Sequence, residues 1–151
     1  MRFECLLWRA GSVITSRALP YLLSALLSGP LAADTLYVVM ASTAKIDTVR
    51  INIDDIVTGK QRKWASGEPI TVILPSKDAP HFGAVGDHWF NGSGSAMQRH
   101  WLRLVFSGRA NVPIYAKSDA EVLAALDQTE GAVGIVIAAP PESYHVLSVV
   151  D

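Results

Sequence analysis

The chain has 151 residues, of which 50% are hydrophobic, and it carries a formal net charge of −1 at neutral pH. This length predicts one domain with enough apolar side chains to bury a single core. A chain so close to neutrality lacks the concentrated positive charge that nucleic-acid binding requires, so nucleic acid is not expected as a partner.

Residues 1–33 have the pattern of a secretory signal peptide. Three arginines precede an apolar run at 18–27, and small residues lead to Ala33, just before Asp34. The apolar run is short for a membrane span and contains Pro20. We therefore expect cleavage near Ala33 and a periplasmic protein that is not inserted in the membrane afterwards. A retained membrane anchor is the alternative.

Export would change the chemistry available to the rest of the chain. Cys5, the only cysteine, lies in the predicted signal peptide, so the mature domain would have neither disulfides nor thiol chemistry. Cleavage would also remove three arginines and one glutamate, leaving a net charge near −3. Nucleic acid becomes a still less favourable partner.

The remaining residues alternate between apolar runs and helical patterns. Strands are predicted at 36–41, 70–74, 131–138 and 144–150. Helices are predicted to begin at Asn52, near Asp78, at Ser95 and at Ser118. Near-continuous apolar strands separated by helices predict one layered α/β domain over residues 34–151, with a mixed sheet flanked by helices.

The first predicted helix carries signals at both of its ends. Asn52 can cap the amino end, and the negative charges of Asp54 and Asp55 in the first turn interact favourably with the helix dipole. Gly59 can supply the left-handed residue after the last turn.

Two later helices begin with capping boxes at Ser95 and Ser118, each followed three residues later by Gln or Glu. The helix from Ser95 has an apolar stripe on one side and arginines on the other. Trp101 and Phe106 on this helix are predicted to be structural residues of the core.

The stretch 59–63, Gly-Lys-Gln-Arg-Lys, places three cations beside a Gly-Lys pair. Asp54 and Gln61 occupy the positions where a P-loop requires glycine and Ser or Thr, so a nucleotide-binding loop is not indicated. We interpret the three cations as a solvated cluster that complements the helix dipole. A ligand-binding role for them is the alternative.

No motif in the sequence predicts catalysis or a cofactor. The Gly-Ser-Gly-Ser run at 92–95 lacks the spacing of a nucleophile elbow and is better explained as a helix start. His81 and His88 lie seven residues apart without a strong metal-binding spacing, and surface positions are expected for them. We expect a non-enzymatic domain without a cofactor or a metal, with a small secreted hydrolase as the least favoured alternative.

The order of several motifs is more specific than any one of them. Residues 56–60 read Ile-Val-Thr-Gly-Lys and are followed by a Trp, a Gly and a strand. A W-x-x-x-x-F-x-G element lies at 101–108, and Gly-Ala-Val-Gly-Ile-Val lies at 131–136. Over about residues 36–147 this order resembles the phosphate ABC transporter substrate-binding proteins of the type 2 periplasmic binding family, and in particular their short exported relatives.

The resemblance implies the fold of one lobe of such a protein and a solute-binding role without catalysis. Members of the family close two lobes over an anion, which backbone N–H groups, hydroxyls and an arginine hold. Here the segment 75–82 lacks the family's Ser-Gly-Thr and its arginine. We therefore expect weak binding of a small anion such as phosphate. The alternative is a ligand-free interaction module that docks on an envelope or transporter protein.

The predicted ligand site is the strand-to-helix junction formed by Ser76, Lys77 and Asp78. Open α/β sheets present the carboxyl ends of their strands to ligands, and the first turn of the next helix favours an anion. Ser42 and Thr43, after the first strand, are expected to supply two more hydroxyls across the cleft. In the alternative reading, Ser76 or Asp78 only caps the helix.

Overall fold

A computed structural model describes residues 35–43 and 51–151 of the chain, so the predicted signal peptide lies outside the described residues. Their elements are β1 (Leu36–Ala41), α1 (Ile53–Val57), β2 (Thr71–Pro75), α2 (Phe82–Phe90), α3 (Gly94–Phe106), β3 (Ile114–Ala116), α4 (Asp119–Gln128), β4 (Ala132–Val136) and β5 (Tyr144–Val150). Within these residues, none of the helices has both the length and the apolar character that crossing a bilayer would require.

The strands form one mixed sheet in the order β3-β2-β4-β1-β5. β2 pairs in parallel with β3 and with β4, whereas β1 pairs antiparallel with β4 and with β5. We call the end of the sheet where β2, β3 and β4 finish the carboxyl edge, and the end where they start the amino edge. Because β1 runs in the opposite direction, it starts at the carboxyl edge and finishes at the amino edge.

Helices cover both faces of the sheet, which confirms the predicted layered α/β fold. The first face packs under α1, α2 and α3, and its buried residues include Val38, Met40, Ile56, Val72, Leu74, Val85, Met97, Trp101, Val133 and Ile135. The second face packs under α4, and its buried residues include Val39, Ile73, Ala116, Val122, Leu126 and Val136. Alternate residues of each central strand thus supply two separate cores.

The boundaries of α1 agree with the sequence signals. The Asn52 side chain accepts hydrogen bonds from the backbone amides of Asp54 at 3.1 Å and Asp55 at 3.4 Å. Gly59 follows the helix with φ of 75°, a left-handed conformation that glycine adopts without a Cβ penalty. The chain therefore turns directly from α1 into the cationic stretch.

One capping box is confirmed in part and the other is wrong. Ser118 caps α4 by accepting from the Glu121 amide at 3.3 Å, but the Glu121 carboxylate accepts from the Lys117 amide at 2.7 Å instead of closing the box on Ser118. Ser95 lies inside α3, and the residue that caps this helix is Ser93.

The close approach of α2 and α3 accounts for the earlier start of α3. A Cβ on Gly86 would lie 2.0 Å from the carbonyl carbon of Ser93, and a Cβ on Gly94 would lie 2.2 Å from the Phe82 ring. Only glycine fits at these two positions, so α3 begins at the glycine that contacts α2. The helix start is set by this packing and not by the downstream capping signal.

Trp101 is buried, with 3% of its surface exposed, whereas Phe106 is 86% exposed. The prediction that both belong to the core is therefore wrong for Phe106. An α-helix turns about 100° per residue, so Phe106 lies about 140° around the helix from Trp101. Its ring therefore falls outside the stripe that faces the sheet.

Candidate functional site

The loops that follow β2, β3 and β4 are tied together at the carboxyl edge. The backbone N–H of Ser76 donates to the Ala116 carbonyl at 2.8 Å, which joins the loop after β2 to the end of β3. The Asp119 carboxylate accepts from the backbone amides of Ile137 at 3.2 Å and Ala138 at 2.9 Å, which joins the start of α4 to the end of β4. This edge is therefore closed by its own hydrogen bonds.

Ser76, His81 and Asp119 place a hydroxyl, an imidazole and a carboxylate at this edge. His81 is fully buried, and its Nδ1 lies 3.9 Å from Oδ1 of Asp119. The Ser76 hydroxyl is buried and has no hydrogen-bond partner among the described residues. The expectation of a surface position for His81 is therefore wrong, and sequence reasoning missed both His81 and Asp119. The only sequence signal for either residue was the position of Asp119 directly after the predicted helix cap Ser118.

The structure places the predicted residues Ser76, Lys77 and Asp78 together in one turn. Ser76 is half-buried, whereas Lys77 and Asp78 are exposed. The Ser76 carbonyl accepts from the amide of Ala79 at 3.0 Å, which closes the turn. The three residues are consecutive in the chain, and their role in binding remains a prediction.

Neither Ser76 nor Asp78 caps α2, so the capping alternative is wrong. The N-cap position of α2 belongs to His81, whose side chain makes no capping hydrogen bond, and the first turn contains no acidic residue. The helix starts at Phe82 instead of near Asp78 because Pro80 disfavours helical geometry in the residue before it. The Phe82 amide donates to the Ala79 carbonyl at 3.2 Å, and the other amide N–H groups of this first turn are left without a side-chain cap from the described residues.

Ser42 and Thr43 do not join this site. They follow β1, which ends at the amino edge, and both side chains are exposed. The length of β1 separates them from the carboxyl edge by roughly 16 Å, at about 3.3 Å per residue. The expected arrangement across a cleft is wrong because β1 is antiparallel to β4, a direction that its apolar run does not reveal.

The amino edge holds the cations of the 59–63 stretch around an open cavity of about 560 Å³. Its lining includes Lys60, Arg62 and Lys63 on one side and Gly108, Ala110 and Asn111 on the other. All three cationic side chains are exposed, and none of these described lining residues is acidic. Lys60 is partly neutralised, since its Nζ lies 3.7 Å from Oδ1 of Asp55.

The histidines and carboxylates are too dispersed for a metal centre. Within residues 35–43 and 51–151, no group of three or more His, Cys, Asp or Glu side chains could hold a metal ion. His88 packs edge-on against Trp89, with 4.5 Å between the ring centroids. The Trp89 indole N–H in turn donates to the Asp54 carboxylate at 2.9 Å.

Comparisons of the chain with protein-family models, with curated proteins and with solved structures found no match in any of the three. The resemblance of residues 36–147 to substrate-binding proteins therefore remains a prediction from the order of the sequence motifs. The observed features are the α/β fold, the closed carboxyl edge and the open cationic amino edge.

Proposed function

We propose that the chain is a non-catalytic, solute-binding-like protein of the periplasm that binds a small oxyanion such as phosphate at the carboxyl edge. The observation that carries the proposal is the uncapped amino end of α2, directly after the turn that contains Ser76. Uncapped first-turn amides and the helix dipole favour negative charge at this point. The buried hydroxyl of Ser76, in the turn that precedes this helix, has no partner among the described residues and is the second group that we assign to the site.

The charges around this turn predict weak binding. Lys77 brings one positive charge, but Asp78 and Asp119 bring negative charges to the same edge. The turn offers no arginine fork for bidentate capture of an oxyanion. We expect dissociation constants in the micromolar to millimolar range, on the order of −4 to −8 kcal/mol. A partner chain of the envelope or of a transporter that supplies a second lobe would tighten this binding.

Titration calorimetry with phosphate tests the proposal on the wild type and on the Ser76→Ala/Lys77→Ala variant. The double variant should lose most of the measured affinity, because it removes the hydroxyl and the positive charge of the turn that precedes α2. Arg99→Ala is the matched control, since Arg99 is an exposed cation of α3. Phosphate binding that survives Ser76→Ala/Lys77→Ala unchanged would place the oxyanion elsewhere.

The second candidate, a ligand-free interaction module, is favoured by the outer strand β5. Val146 is 45% exposed and Val149 is 51% exposed on this strand, which is the edge of the sheet formed by the described residues. Edge strands with exposed apolar side chains are able to pair with an extended segment of another protein. A thermal-shift series with phosphate and other oxyanions separates the two functions, because a ligand that binds only the folded state raises the melting temperature.

A further inference from the structure

The cavity at the amino edge is lined by positive charge, although the domain that contains it has a negative net charge. The described residues include eight Lys and Arg side chains against eleven Asp and Glu side chains, a net charge of −3. Three of these eight cations line the one cavity of about 560 Å³, and none of its described lining residues is an acid. Like charges gathered in this way repel one another and create a local potential that attracts anions.

The segment that carries the cations is fixed by backbone contacts. The Arg62 carbonyl accepts from the Ile70 amide at 2.9 Å, and Lys63 forms an isolated β-bridge with Pro69. The next residue, Trp64, is buried, and its indole N–H donates to a backbone carbonyl at 3.0 Å. Two of the cations are therefore presented from a backbone that is already ordered, which reduces the entropic cost of binding a ligand.

The dipole of α1 does not explain the whole cluster. It accounts for Lys60, which follows the helix directly and lies 3.7 Å from an α1 carboxylate. Arg62 and Lys63 lie beyond the turn, and neither forms an ion pair with any residue of 35–43 or 51–151. A helix of five residues also has a small dipole, which acts only within its last turn. Two cations thus remain available to an external anion.

The opposite wall indicates the chemistry of that anion. It consists of Gly108, Ala110 and Asn111, and Pro69 completes the lining, so the described lining offers an amide side chain, a proline and small residues but no aromatic ring. Stacking of a nucleobase has no support there. The cavity volume lies within the range of about 300–1,000 Å³ that is typical of small-molecule sites, well above the size of one phosphate group.

From these observations we propose that the amino edge is a second anion site, which binds a ligand with two or more closely spaced phosphate groups. Lys60, Arg62 and Lys63 neutralise the phosphates, and the Asn111 amide donates to an oxygen from the opposite wall. The phosphates belong either to a free oligophosphate or to the headgroup of an anionic lipid. This site is separate from the turn at Ser76 and does not depend on the function proposed for that turn.

Binding of inorganic triphosphate to the purified chain, measured by calorimetry at low and at high salt, tests the site. Arg62→Gln/Lys63→Gln should weaken triphosphate binding about tenfold or more, because two of the three charges that neutralise the phosphates are lost. The control Arg99→Gln/Arg103→Gln removes the same charge from exposed residues of α3, which line a separate cavity of about 370 Å³ with Leu102, and should change affinity less than about twofold. Wild-type binding should weaken at high salt, since the charges are exposed.

Vesicles with and without a multiply phosphorylated anionic lipid such as cardiolipin distinguish the two sources. If Arg62→Gln/Lys63→Gln abolishes binding to the vesicles and triphosphate does not bind, the ligand is a lipid headgroup. If triphosphate binds and the vesicles do not, the ligand is a free oligophosphate. Binding to neither probe, or an equal loss in the control variant, overturns the site.

Ser76→Ala/Lys77→Ala should leave triphosphate binding unchanged, which separates this result from the test of the carboxyl edge. Each single substitution should weaken binding about threefold, in case the double variant does not fold.

Discussion

The two edges of the sheet both carry polar and charged side chains, which they use in different ways. At the carboxyl edge, a buried imidazole lies beside Asp119, and that carboxylate is occupied by two backbone amides. At the amino edge, Arg62 and Lys63 are exposed, form no ion pair with a described residue and border a cavity. The residues that a fold uses to close its own loops are the ones least available to a ligand.

The helix α4 connects these two edges across the second face of the sheet. Its first residue, Asp119, holds the end of β4 at the carboxyl edge. Near its other end, the Asp127 carboxylate accepts from the hydroxyl of Tyr144, where β5 begins at the amino edge. The first contact includes one partly buried hydrogen bond and one exposed hydrogen bond, whereas the second is exposed, so substitutions at the two ends compare a partly buried contact with an exposed one.

The largest effect is expected from Trp101→Ala, which removes the support beneath the amino edge. The Trp101 ring is buried under the turn at Gly59, where a Cβ would lie 3.1 Å from it. Loss of this side chain should reduce the free energy of unfolding by about 3–5 kcal/mol in a denaturant titration. Phe106→Ala, on the exposed side of the same helix, should cost less than about 0.5 kcal/mol. Similar losses in the two variants would contradict the packing described.

Features that depend on a few neighbouring residues were predictable from the sequence. The strand 36–41 and the capping of α1 by Asn52 were predicted correctly, because an apolar run and a cap are local signals. The strand predicted at 131–138 is shorter in the structure, Ala132–Val136, because its ends turn into loops. The α/β architecture followed from the alternation of these segments.

Features that depend on distant residues were not predictable. β3 has only three residues, too few for a periodic pattern, and its pairing with β2 is what makes it a strand. The direction of β1 depends on its neighbours in the sheet, so Ser42 and Thr43 were assigned to the wrong edge. His81 is buried and lies close to Asp119, the first residue of α4, which its own sequence context does not indicate.

At the carboxyl edge, Asp119→Ala should reduce the free energy of unfolding by about 1–3 kcal/mol. The substitution leaves the partly buried amide of Ile137 and the exposed amide of Ala138 without their acceptor. Hydrogen exchange should show faster exchange at these two amides. Asp78→Ala removes an exposed carboxylate from the same edge and should cost less than about 0.5 kcal/mol. Equal stability of the two variants would mean that the edge is not closed by Asp119.

At the amino edge, Gly59→Ala should cost about 1–2 kcal/mol, because φ is 75° and an L-residue is strained there. The added Cβ would also lie 2.8 Å from the end of the Leu104 side chain, which must shift. Gly67→Ala is the matched control, since its φ is 92° and its Cβ would meet no atom within 4 Å. Both substitutions strain a positive φ, but only Gly59→Ala adds a close contact, so Gly59→Ala should lower the denaturation midpoint further. A larger loss for Gly67→Ala would contradict the packing of the turn against α3.

The smallest effect is expected from Tyr144→Phe, which breaks the exposed tie between β5 and α4. The Tyr144 hydroxyl donates to the two oxygens of Asp127 at 3.0 and 2.9 Å. Burial, then the hydrogen bond and the charge of Asp127, raise the pKa of Tyr144 above its ordinary value of 10.0. The raised pKa means that this contact stabilises the fold fully below pH 10 and is lost as the pH rises through the folded-state value. Tyr144→Phe should therefore cost less than about 1 kcal/mol at neutral pH, and its stability should fall less steeply than that of the wild type above pH 10.

Asp127→Asn, which keeps a hydrogen-bond acceptor without the charge, should give an intermediate alkaline slope. Parallel pH curves for the wild type and Tyr144→Phe would show that the amino end of β5 is not held by this contact.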